Sequence, residues 1–163
     1  MIRLFAAATL LLAAACSPPA RDEAPVPIET AAPAAAPDEV LAVIRVEEAA
    51  FAPSAAVENT QTGARVFEVT GTGDGAPTYH VMHFNEGWRI VSVRRELVWG
   101  DAPQAVRDAV ATSPQAIAPA RVVEVREPGA DGVMYELYND PAGAPLLTVR
   151  AVDGEAAIMP APH

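Results

Sequence analysis

Three short runs in the second half of the chain alternate apolar and polar residues. In 121–127, Val123 and Val125 face one way while Glu124 and Arg126 face the other. In 133–138, Val133, Tyr135 and Leu137 share a side opposite Met134, Glu136 and Tyr138. In 146–152, Leu147, Val149 and Ala151 oppose Thr148 and Arg150. A period of two predicts strands buried on one face. Pro128-Gly129 and Pro141-Ala142-Gly143 supply turn chemistry between them, and a fourth run, 156–159, follows Asp153-Gly154. Ahead of the strands, GDAPQAVRDAVATSP carries a different period. Val106, Ala109 and Val110 fall at i, i+3 and i+4, the stripe of an amphipathic helix. Asp101 is placed to cap it with Gln104 completing a capping box, Pro103 fits its first turn, and Ser113-Pro114 ends it.

The first half repeats this order. AAFAPSAAVENTQTGA from Ala49 and QAIAPARVVEVREPGA from Gln115 stand 66 positions apart and share Ala-Pro, Val-Glu and Gly-Ala at matching places. Pro37 aligns with Pro103, and Val40, Val43 and Ile44 align with Val106, Ala109 and Val110. VLAVIRV alone fits a strand as well as a helix; the repeat selects helix. Further on, Phe67-Glu68-Val69 matches Tyr135-Glu136-Leu137, and Gly75-Ala76-Pro77 matches Gly143-Ala144-Pro145. A unit of about 60 residues is marginal alone. The expected fold is therefore α+β: two αβββ(β) repeats, 38–98 and 99–160, whose meanders join into one antiparallel sheet. Both helices are expected on one face, leaving the other open.

Met1-Ile2-Arg3 followed by the apolar run 4–15 reads as a signal-peptide core, too short for a permanent membrane helix. LLAAAC, ending at Cys16, resembles the bacterial lipobox, with Ala13 where Leu is usual and Leu12 one step further out. That resemblance implies a lipoprotein signal peptide over 1–15 and a lipidated Cys16. Ser17 after the cysteine implies release from the inner membrane, and so an anchor on the periplasmic face of the outer membrane. The stretch 16–37 is rich in Pro and Ala, cannot bury enough surface to order itself, and is expected to be a disordered tether. Extended at about 3.1 Å per residue, it spans roughly 60 Å.

Composition narrows the function. Eleven basic residues, all Arg, face 21 acids, which argues against nucleic-acid binding and against a polybasic membrane patch. Cys16 is the one cysteine, so no internal disulfide is available.

WRIVSVRRELVWGDAPQAVRDAV, then ARVVEV, GVMYEL and LLTVRAVDGE, is similar to PepSY-like domains. These run as a strand ending in an acid, D-x-P-x-A-V opening a helix, and a meander with a Tyr-Glu pair. In tandem such units resemble the β-lactamase-inhibitor-protein fold. The resemblance implies an envelope protein that binds and restrains another protein, a peptidase among the expected partners, and it brings no catalytic residues or cofactor.

Chemistry within the chain is sparse. His80 and His83 are three apart, so on a strand they point to opposite faces and do not converge on a metal. No Gly-x-Ser-x-Gly is present, and Ser54, Ser92 and Ser113 have no base nearby in sequence. Glu68 and Glu136, equivalent in the repeat, read as solvent-facing acids, and GTGDGAP at 71–77 reads as a hairpin loop. The expectation is a binding module and not an enzyme. Its candidate partner face carries Thr78, His80, Met82 and Phe84, then Trp88 and Ile90, then Met134 and Tyr138. The alternatives are an envelope-maintenance lipoprotein without a specific client, and a small-ligand or metal binder built on His80 and His83.

Overall fold

A computed structural model describes residues 35–59, 63–115 and 117–159. The expected signal peptide, Cys16 and the linker through residue 34 lie outside the described residues. The element order is α1 (Asp38–Glu47), β1 (Pro53–Asn59), β2 (Val66–Gly71), β3 (Thr78–Phe84), β4 (Gly87–Leu97), α2 (Gln104–Ala111), β5 (Arg121–Arg126), β6 (Val133–Tyr138), β7 (Leu147–Val152) and β8 (Glu155–Met159), with a 3-10 turn at Trp99–Asp101 before α2. All eight strands form one antiparallel sheet in sequence order, β1 and β8 being its edges. The fold is α+β with an open sheet.

Both helices start on proline. Pro37 and Pro103 are the N-cap residues, with φ −55° and −52° and ψ 146° and 143°. The Pro37 carbonyl accepts from the amides of Val40 and Leu41, and the Pro103 carbonyl from Arg107. Asp101 does not cap α2 as its spacing suggested. It closes the 3-10 turn, and no side chain caps the helix. Proline's fixed φ sets the start instead. Gln104 bonds along the helix to Asp108 and Arg107, and the Arg107 guanidinium donates back to the Gly100 and Ala102 carbonyls.

One side of the sheet, here the core face, builds two apolar clusters. Val40 and Ile44 of α1 pack with Phe67, Val69, Tyr79 and Val81, and Val106 and Val110 of α2 pack with Val122, Tyr135, Leu137 and Val149. Cross-strand register carries this face through the sheet: Phe67 opposes Val81, Val122 opposes Leu137, and Tyr135 opposes Val149. The residues between them point to the second side, the outer face.

Two strands depart from simple alternation. In β4, Ser92 stands opposite His80 but Ile90, not Val91, stands opposite Val81. Val91 is an extra residue, a β-bulge, and it reverses the phase of the strand. In β5, the run Val122–Val125 is buried on both sides of the sheet. The apolar pair Val123 and Val125 lies on the outer face, and Glu124 and Arg126 lie on the core face with Val122.

Candidate functional site: the outer face of the sheet

On β2 and β3 the outer face carries Glu68 and Thr70 beside Thr78, His80 and Met82, because each is paired directly across the ladder. His80 stands opposite Glu68 and Ser92. Burial holds its imidazole below the ordinary range; Glu68 pulls it up, Arg94 pushes it down and Glu136 pulls it up. The Thr70 and Thr78 hydroxyls are 3.1 Å apart. Met82 is half-buried between Val66 and Arg89. Phe84, 41% exposed, has the Arg89 guanidinium 5.9 Å from its ring centre. Val57, 40% exposed, lies opposite Glu68, so Val57, Val66, Met82 and Phe84 form an apolar strip along this end.

The β5–β6 part of the outer face is built differently. Val123, Val125 and Tyr138 form a third buried cluster, with Met134 half-buried against it. Arg94 on β4 pairs with Glu136 on β6, although β5 lies between them. Arg94 stands opposite Val125, and Glu136 opposite Val123. The guanidinium therefore reaches over both valines, and its stem helps to keep water from them. Tyr138 donates to Glu136 at 2.5 Å, and Arg94 also lies 3.4 Å from the Tyr138 hydroxyl. Burial raises the Tyr138 pKa, reinforced by its hydrogen bond to Glu136. Arg121 covers the Tyr138 ring at 5.0 Å and meets Glu96 at 3.5 Å. A groove of about 600 Å³ lies beside this network, lined by Glu68, Thr70, Thr78 and His80, by the 73–76 loop, and by Arg94, Glu96 and Arg121 among others.

The structure brings together His80, Met82 and Phe84 on the outer face, with Met134 and Tyr138 on the same side further across. It does not bring Trp88 and Ile90 there. Trp88 opposes His83 and Ile90 opposes Val81, both on the core face. Trp88 packs edge-on against Phe67 at 5.4 Å and against His83 at 4.8 Å, with Arg65 over its ring at 5.3 Å. The bulge at Val91 is the reason, since even-numbered positions change sides across it. Tyr138, 6% exposed, is a floor of the face and not a projecting anchor. His80 and His83 lie on opposite faces, and among the described residues no group of three His, Cys, Asp or Glu side chains is placed to hold a metal ion.

Sequence reasoning missed Arg94, Glu96 and Arg121, and it read Glu136 as solvent-facing where the structure has it half-buried and bonded twice. The i, i+2 spacing of Glu136 and Tyr138 was a signal for that contact. The pairing of β4 with β5, which recruits Arg94, carries no local signal.

A smaller cleft of about 390 Å³ opens on the core face, lined by Glu48, Tyr79, Arg95, Glu124, Arg126 and Pro128 among others. Several of its polar groups are paired with one another or with a neighbour. Tyr79 donates to Glu48 at 2.9 Å, Tyr135 to Glu124 at 3.2 Å, and Arg126 meets Glu124 at 2.8 Å. Burial, then the neighbouring carboxylate, pushes both tyrosines up to about 12. These contacts fasten the fold.

No protein-family model, no curated protein and no solved structure matches the chain.

Proposed function

We propose that this chain is a lipid-anchored envelope protein that holds another envelope protein, a peptidase in the leading reading, against the outer face of its sheet. In this reading Cys16 carries the lipid, 16–37 is the tether, and 38–98 and 99–160 are two PepSY-like repeats whose helices cover one common face. Support for the duplication comes from register. Adding 68 to Phe67↔Val81, Met82↔Arg89 and Phe84↔Gly87 gives Tyr135↔Val149, Arg150↔Ala157 and Val152↔Glu155, each an observed pair. Adding 66 to Val57 and 68 to its partner Glu68 gives Val123↔Glu136, again observed. Pro37 and Pro103 start the two helices with the same geometry.

The single observation that carries the binding role is the apolar strip Val57, Val66, Met82 and Phe84. It lies on the sheet face opposite the two main cores and beside a groove rimmed by Arg94, Glu96 and Arg121. An apolar patch bordered by paired charges suits a protein surface. The test is binding to the peptidase or other protein retained from a cell-envelope extract. Met82→Glu with Phe84→Glu should weaken that affinity at least tenfold, whereas Val46→Glu, on the 84% exposed position of α1, should leave it unchanged. Equal retention by all three chains would remove the outer face from the function.

A further inference from the structure

We propose that β8 is a self-association edge, and that two copies of this chain join antiparallel through it about an axis at Ala157. The two edges of the sheet differ. β1 opens on Pro53, its register shifts between Pro53 and Ala55, and it carries Glu58. Proline, irregularity and charge are the usual means of blunting an edge. β8 reads Glu155-Ala156-Ala157-Ile158-Met159, pairs with β7 without a shift, and has a single charge, at its first position.

The free groups of this edge follow from its hairpin. Asp153 and Gly154 form the two-residue turn between β7 and β8, with φ 49° and 85°, as a type I′ turn needs. Such a turn is closed by a hydrogen-bonded pair, here Val152 and Glu155. Alternation then directs the backbone groups of Glu155, Ala157 and Met159 inward to β7. Those of Ala156 and Ile158 point outward, where no described strand meets them.

A second copy satisfies this pattern in one register. With Ala157 opposite its own counterpart, Ala156 stands opposite Ile158 of the other copy. Each such pair exchanges both of its backbone hydrogen bonds. On the core face this sets Ala156 against the 36% exposed Ile158. On the outer face it sets Glu155 against Met159 and Ala157 against Ala157. No like charges meet, and the two acidic turns at Asp153 lie at opposite ends of the pairing. A five-residue edge buries less than a stable interface usually needs, so the dimer is a weak one in solution.

The test uses the full chain carrying Cys16→Ser, which leaves an introduced thiol as the sole cysteine. Ala157 pairs with itself at a non-hydrogen-bonded site, where Cα atoms are about 4.5 Å apart, within disulfide reach. Under diamide, Ala157→Cys should form a covalent dimer at least tenfold faster than Ala156→Cys or Ile158→Cys. In sedimentation, Ile158→Pro should abolish the concentration-dependent rise in mass while leaving circular dichroism unchanged, because its N–H faces outward. Equal crosslinking at all three positions, a thiol at 157 that links only to other proteins, or a mass unaffected by Ile158→Pro would each overturn the proposal.

Discussion

The bulge at Val91 makes an unusual demand: removing one residue from the middle of a strand should do little, while removing two should do much. Ile90 already stands opposite Val81, and Ser92 opposite His80. Deleting Val91 joins Ile90 to Ser92 and restores plain alternation, with Trp88 and Ile90 still on the core face. The loss is one half-buried valine side chain, about 1 kcal/mol. Deleting Val91 and Ser92 together joins Ile90 to Val93, which faces the core opposite Tyr79, so alternation turns Ile90 and Trp88 outward. Half of the burial of each is worth about 1 kcal/mol, and the edge contact of Trp88 with Phe67 adds about 1 more. With the lost valine included, the double deletion should cost about 4 kcal/mol, a fall in Tm of about 16 °C against about 4 °C for the single one. Thermal unfolding followed by circular dichroism measures both. In a Trp99→Phe background the emission of Trp88 should shift to the red only in the double deletion. If the single deletion proves as costly as the double one, the phase argument is wrong.

Arg94→Ala should destabilise by about 2 kcal/mol, through exposing Val123 and Val125 and stranding the half-buried Glu136. Arg94→Met, which keeps an apolar stem over the valines, should recover about half of that by urea titration; no difference between Met and Ala would show that the stem covers nothing. Tyr79 and Tyr135 predict alkaline lability. Their folded pKa is raised above the unfolded value of 10 to about 12, so their contribution is complete below pH 10 and is lost as pH climbs through 12. Phenolate absorbance should therefore stay low through pH 10 and rise together with unfolding, and Tyr79→Phe with Tyr135→Phe should flatten that slope. Phenolate formation at pH 10 in the folded chain would contradict the buried Tyr–Glu pairs.

Much of the fold was legible because alternation and helical periodicity are local signals. The strands 133–138 and 147–152 follow their apolar positions, and the two helical stripes place Val40, Ile44, Val106 and Val110 in the core. What failed were features set by neighbours. The start of α2 was misassigned because Pro103 imposes it where Asp101 looked like a cap. Trp88 and Ile90 were put on the wrong face because an extra residue in β4 is invisible to counting by twos. Val122 to Val125 read as a one-sided strand, yet β5 sits fourth from the β8 edge of the sheet and is covered on both sides. On the outer face, His80, Met82 and Phe84 were legible from parity. Arg94 was not, since its role depends on reaching across an intervening strand to Glu136.

The sequence-order sheet also has a consequence for how the chain acquires its shape. Every strand hydrogen-bonds to its predecessor, and the longest stretch between paired strands is 98–120, which contains α2. Loop closures are therefore short, and the entropy lost in each is repaid by the ladder that forms next. A chain of this kind has few distant partners to search for, so it should fold quickly for a β-rich protein. It can also be assembled hairpin by hairpin in the order in which its residues are made.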